Sequence, residues 1–189
     1  MKNYKKNLEL LENNHVYSTE MEHDACGVGV IASTEGKKSR KIVEYGIEAL
    51  KAVWHRGAVD ADGKTGDGAG IHLEIPSNFF AEKIDLTGHK HDDSEICVGM
   101  IFLPRNNYAA QENSRTLVES ELTKSNFSIY GWRQVPVNTK VLGEKANFTR
   151  PEITQVLFKY NDKNLMGKEL ERKLYESRRK IEKEAIKNA

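Results

Sequence analysis

Cysteine is scarce in this sequence, charge excess is absent, and no apolar run is long enough to span a bilayer. Two cysteines occur in 189 residues, Cys26 and Cys97, in dissimilar contexts and without short metal-type spacing. That excludes a disulfide framework and gives no zinc-site signature, so a reducing, cytoplasmic setting is expected. Lysine and arginine total 29 against 28 aspartates and glutamates, a net charge of +1. A surface so balanced asks for neither nucleic acid nor an anionic membrane as partner. The first 25 residues carry Lys2, Lys5 and Lys6 but no signal-peptide core. No internal repeat and no linker-like low-complexity stretch divides the chain, whose length suits one domain with a real core.

What is present is a polar leader that ends at Cys26, where the β-branched run Cys26-Gly27-Val28-Gly29-Val30-Ile31 begins. The pattern predicts a buried strand over 26–33 with the thiol at its first residue. Most free cysteines are small buried hydrophobes. A cysteine at the start of a strand has another use: were residues 1–25 removed, its α-amine, with an ordinary pKa of about 7.7 to 8.0, would be a general base beside the nucleophile.

Further on, apolar residues at three- and four-residue steps (Ile42, Val43, Ile47, Leu50, Val53) predict an amphipathic helix over 37–54, with Gly46 in the stripe marking close approach to a strand. Helices are also expected at 78–83, at 107–124 and from 165 onward. Strands are expected at 69–75, 95–103, 127–137 (interrupted at Gly131) and 153–160. This makes one α/β unit of about five strands and four helices. Cys97 falls inside an apolar strand and is assigned to the core. Residues 85–94, with His89 and His91, read as a solvated surface loop, because no third soft ligand lies near for a metal.

The loop 60–70 is the most glycine-dense stretch. It is no calcium loop, because Lys64 and Thr65 stand where an acidic ligand and a glycine are required. Gly27-x-Gly29-x-x-Ala32 is no dinucleotide fingerprint either, since no strand precedes it and no helix opens after it. Either the 60–70 backbone must approach a ligand or the thiol closely, or it is a structural hairpin loop.

Taken together, His23-Asp24-Ala25-Cys26-Gly27-Val28-Gly29, Glu48-Ala49-Leu50, His55-Arg56-Gly57-Ala58-Val59, Thr65-Gly66-Asp67-Gly68-Ala69-Gly70-Ile71 and Gly131-Trp132-Arg133-Gln134-Val135-Pro136-Val137 carry a resemblance. In order and spacing they resemble a class II glutamine amidotransferase domain, in the form carried by the glutamate synthase large subunit. The resemblance implies residues 1–25 as a propeptide and 26–189 as the N-terminal part of the domain, an incomplete copy of the αββα sandwich of N-terminal nucleophile hydrolases. It implies Cys26 as nucleophile with its freed α-amine as base, and Arg56 as the cation that organises the site, a role that can coexist with capping a helix end. His55 is not the expected base. L-Glutamine is the implied substrate, and the remainder of a glutamate synthase, or a separate synthase subunit, the implied partner. No cofactor is expected within the chain, whereas FMN and an iron–sulfur cluster belong to the rest of such an enzyme.

One departure stands out. The family's oxyanion hole uses an Asn-Gly segment, and no asparagine here is directly followed by glycine. A missing oxyanion donor costs about two to three powers of ten in rate, so little activity is expected of the chain alone. The alternatives are an amidotransferase serving purine, amino-sugar or asparagine synthesis, or a non-catalytic remnant or split-gene subunit.

Overall fold

The structure is a computed structural model, and it describes residues 6, 7, 9, 10, 13, 27–53, 57–66, 68–92 and 94–187. The chain forms two compact units, one of Met1–Val59 with Gly66–Ile71 and one of Asp60–Thr65 with His72–Ala189.

In the first unit, α1 spans Arg40–Ala52. Ser39 starts it: its side-chain oxygen accepts from the Lys41 amide at 3.1 Å, satisfying one of the donors that a helix N-terminus leaves unpaired. Ile42, Val43, Ile47 and Leu50 are half-buried, whereas Lys41, Glu44 and Glu48 are exposed, as the periodicity predicts. Gly46 is a point of close approach, since a Cβ there would lie 3.0 Å from Ile71 Cδ1, but the neighbour is a side chain of a segment that is not a strand.

The strands expected at 26–33 and 69–75 do not form. Residues 27–33 and 69–75 have no regular secondary structure, and Val28 and Val30 are 89% and 86% exposed. β-branched residues favour extended backbone, but a strand exists only where a neighbour completes its hydrogen bonds. No ladder partner meets these segments among the described residues.

The second unit is built on a three-stranded antiparallel sheet of β1 (Cys97–Leu103), β2 (Phe127–Gln134) and β3 (Glu152–Tyr160), in the order β1-β3-β2. Cys97 pairs with Phe158 and Phe127 with Tyr160. Helices α2 (Ser77–Asp85), α3 (Tyr108–Lys124), α4 (Glu144–Thr149) and α5 (Lys168–Lys187) complete it, with a 3-10 turn at Thr139–Val141. The turn and α4 are absent from the sequence-based expectation, which left 138–150 unassigned.

β3 is central and is buried on both faces. Val156 and Phe158 join Cys97, Phe127, Val118 and Leu122 of α3, and Leu170 of α5. On the other face, Leu157 joins Phe80 and Ile84 of α2 with Ile96 and Tyr130. α3 starts at Asn107, whose side-chain oxygen accepts from the Ala110 amide at 3.0 Å. No helix among the described residues is long and apolar enough to cross a membrane.

Gly131 does not interrupt β2 as expected. It carries a β-bulge: Ile129 faces Phe158 and Gly131 faces Leu157, with Tyr130 as the extra residue. The backbone there has φ +151, a conformation that glycine alone adopts freely, and a Cβ would meet Thr87 at 2.9 Å. The bulge puts Trp132 opposite Val156, on the face covered by α3, where its indole N–H donates to Glu119 Oε1 at 2.6 Å.

Candidate active site

Both residues expected to carry the chemistry, Cys26 and Arg56, lie outside the described residues, as do His55 and Asp67. The geometry that can be built is that of the glycine-rich loop between them and the family's later motif.

Val59 and Gly66 form an antiparallel bridge. Inside it the Asp60 amide donates to the Thr65 carbonyl at 2.7 Å, and Gly63, at φ +68, donates back to the Asp60 carbonyl at 2.9 Å. Asp62 organises the turn. Its Oδ1 accepts from the Lys64 amide at 2.9 Å and the Thr65 amide at 2.7 Å, and its Oδ2 accepts from the Thr65 hydroxyl at 2.5 Å. These donors, the Thr65 hydroxyl first, hold the carboxyl far below the usual carboxylate range. A carboxylate so occupied is neither a general base nor a free ligand. Asp60 is occupied as well, taking the Ala61 amide at 2.6 Å and both contacts of the Lys145 ammonium, at 2.8 and 2.7 Å.

The glycines divide by cause. Gly63 is needed for its positive φ, and at Gly66 a Cβ would come within 3.0 Å of the Ala58 carbonyl oxygen. Gly68 and Gly70 have nothing within 4 Å of a built Cβ, so no packing among the described residues requires them. Sequence reasoning left close approach and structural hairpin open for the whole loop. The first half has structural reasons, and the second half has none of that kind.

Two residues that sequence reasoning missed hold this loop. A Cβ at Gly143 would collide with the Thr65 hydroxyl, the Asp62 carboxylate and the Thr65 amide nitrogen, so the loop packs directly on the backbone that opens α4. Lys145, in the first turn of α4, then reaches Asp60. Nothing in the local sequence of either position signals a partner some eighty residues earlier.

Cys97 is 2% exposed, and burial pushes its thiol up to about 12. It is a core residue, as expected. The 85–94 stretch is exposed over most of 85–90, as expected of a surface loop, but its end is held on the sheet. Asp92 accepts from Lys159 Nζ at 2.5 Å, Ser94 Oγ at 2.7 Å and the Tyr130 hydroxyl at 3.1 Å, and Lys163 Nζ lies 3.2 Å away. His91 Nε2 lies 2.8 Å from the Ser94 carbonyl, and His89 Nδ1 lies 3.2 Å from the Thr87 hydroxyl. A polar run in sequence carries no mark of the lysines that fold onto it.

A family profile described as glutamine amidotransferases class-II matches residues 26–189. The chain belongs to that family. Among curated proteins it is 53% identical over 180 residues to the glutamate synthase (NADPH) large chain of Azospirillum brasilense, covering 95% of this chain and 12% of that one. It is 39% identical over 175 residues to the ferredoxin-dependent glutamate synthase of Pyropia yezoensis, covering 92% and 11%. It is also 39% identical over 147 residues to the glutamate synthase (NADH) of Saccharomyces cerevisiae, covering 75% and 7%. This class II amidotransferase therefore spans about an eighth or less of the length of these relatives. The family match opens at Cys26, where the polar stretch of residues 1–25 gives way to the apolar run.

Proposed function

We propose that this chain is the glutamine amidotransferase part of a glutamate synthase, with Cys26 as the nucleophile. The observation that carries the reading is the family match opening at Cys26, together with relatives that are all named as glutamate synthases. The same relatives favour it over an amidotransferase of purine, amino-sugar or asparagine synthesis.

In the proposed reaction, removal of residues 1–25 frees the Cys26 α-amine. The Cys26 sulfur attacks the side-chain amide carbon of L-glutamine while the amine takes the thiol proton. The C–N bond then breaks, the amine returns a proton, and ammonia leaves a glutamyl thioester. Water attacks that thioester to release glutamate and restore the thiol. Thiolate chemistry needs positive charge nearby, and Arg56 is the proposed source. The chain has no Asn-Gly pair to serve as the oxyanion hole. Gly68 and Gly70, which no packing among the described residues requires, leave backbone free to approach a ligand.

In the remainder of the enzyme the ammonia would combine with 2-oxoglutarate to give glutamate and water, a reduction whose two electrons an external donor would supply, and that remainder would hold the FMN and the iron–sulfur cluster. Two cysteines cannot furnish the four thiolates of such a cluster, and Cys97 is buried with its thiol protonated. The proposed compartment is the cytoplasm. The proposed fold is the four-layer αββα sandwich. It is supported by the sheet face opposite α3 and α5, where α2 packs around Leu157 but Met100 and Phe102 remain 48% and 63% exposed and would be covered by a second sheet.

The test is glutamine hydrolysis by the full-length protein. Cys26→Ala should abolish ammonia release from glutamine, and the mass of the active protein should show Cys26 as its first residue. Retained glutamine hydrolysis in Cys26→Ala, or full activity with the leader attached, would overturn the reading.

A further inference from the structure

At the end of the sheet where β1 and β2 finish and β3 starts, a cavity of about 450 Å³ is lined by Arg105, Arg115, Arg150, Thr154 and the opening residues of α3. That volume is within the range of about 300 to 1,000 Å³ typical of small-molecule sites. Among the described residues the guanidiniums of Arg105 and Arg150 hydrogen-bond to neutral oxygens. Arg105 Nη1 donates to the Asn147 carbonyl at 2.7 Å and its Nε to Asn106 Oδ1 at 3.3 Å, while Arg150 Nε donates to Asn147 Oδ1 at 2.8 Å. Neither takes part in an ion pair among the described residues.

Two further groups are left without partners among the described residues. Thr154 is 3% exposed, and its hydroxyl has no hydrogen-bond partner. Arg115 pairs through Nη1 with Glu112 and stacks over Trp132 at 5.8 Å, yet its Nε is buried and unpartnered. The one carboxylate in the lining, Glu152, is already accepting from Gln134 Nε2. The backbone before α3 is itself braced, because the buried Gln111 amide donates to the Pro104 and Arg105 carbonyls at 2.9 and 3.2 Å.

The cavity therefore carries an excess of positive charge, four arginines in its lining against the single carboxylate of Glu152. We propose that it binds a small oxyanion, a carboxylate or a phosphate, whose oxygens take the Arg105 and Arg150 forks, the Arg115 Nε–H and the Thr154 hydroxyl. Guanidinium forks match the paired oxygens of either group, and partial burial keeps salt from screening them fully.

The experiment is calorimetric titration of the full-length protein with 2-oxoglutarate, L-glutamate and inorganic phosphate in separate arms. In each arm the binding component that reports on the cavity is the one that weakens about tenfold or more in both Arg105→Gln and Arg150→Gln, as loss of a charged hydrogen bond predicts, whereas binding at the proposed glutamine and 2-oxoglutarate sites is unchanged by either substitution. Tighter binding of the dicarboxylates assigns the site to a carboxylate, and tighter binding of phosphate to a phosphate. Thr154→Val separates binding from structure. Removing an unpartnered hydroxyl should leave the melting temperature of the free protein unchanged or raised while weakening the same ligand. Failure of all three probes to saturate, binding unaffected by every substitution, or a Thr154→Val variant that melts lower without changed affinity would overturn the proposal.

Discussion

The Lys145 ammonium holds both oxygens of the Asp60 carboxylate, at 2.8 and 2.7 Å, and so ties the start of α4 to a loop 85 residues earlier. The pair is largely exposed, and exposed pairs contribute about 0.2 to 1 kcal/mol. The stronger constraint beside it is steric, at Gly143, where the loop leaves no room for a side chain.

Gly143→Ala should therefore destabilise the protein by about 1 to 3 kcal/mol, the usual range for overpacking, since one of the displaced atoms is the Thr65 backbone nitrogen. Gly68→Ala, with open space around its built Cβ, should leave stability nearly unchanged. Urea denaturation of the two variants measures the contrast, and equal midpoints would show that the loop does not rest on Gly143.

Asp92 should govern the acid limb of stability. The Lys159 ammonium, then the Ser94 hydroxyl, hold its carboxyl far below the ordinary range, so it is ionised in the folded protein well below the unfolded value of about 3.9. The folded pKa is lowered; the contribution is complete above about pH 4 and is lost as pH falls below it. Asp92→Asn should be less stable at neutral pH and flatter between about pH 4 and 2. Thermal melts across that range test this, and an unchanged acid slope in Asp92→Asn would contradict it.

Tyr130 should produce an alkaline limb. Burial first, then the hydrogen bond to Asp92, push its phenol up. A raised folded pKa means stability present below the unfolded value of about 10 and lost as pH climbs past it. Tyr130→Phe should remove that part of the loss above about pH 10, at the cost of a hydrogen bond at lower pH. Absorbance titration of the tyrosinate band in the two proteins reads it directly.

Cys97 should resist alkylation. With its thiol pushed up to about 12, only about one molecule in ten thousand is thiolate at pH 8, and the sulfur is buried besides. Peptide mapping after brief iodoacetamide treatment should find Cys97 unmodified in the folded protein and labelled in denaturant. Labelling of Cys97 under native conditions would contradict the burial seen here.

Trp132→Phe should cost about 1.5 to 3 kcal/mol, because Glu119 loses its indole donor at a half-buried position. Adding Glu119→Gln to that variant should recover part of the loss, since a neutral amide is cheaper to leave without the indole. A double-mutant cycle measures the coupling.

The amino-acid order by itself determined where α1, α2, α3 and α5 lie, where β1, β2 and β3 lie, that Cys97 is core, and the family. Each rests on information within a few residues: the stripe of α1, the Asn107 cap of α3, the apolar run of β1, and the motifs from Cys26 to Val137. Local pattern also misled where a partner decides the outcome. Residues 27–33 and 69–75 have the composition of strands and no ladder among the described residues. Gly131 reads as a break and is a bulge that keeps β2 continuous while turning Trp132 toward α3. Only the tertiary structure set Asp92 under Lys159, Gly143 against Asp62 and Thr65, and the unpaired arginines around Thr154. The physical reason is the same in each case. Charge pairing, steric exclusion and unmet hydrogen bonds are properties of atoms brought together from distant positions, and no periodicity along the chain encodes which distant atom arrives.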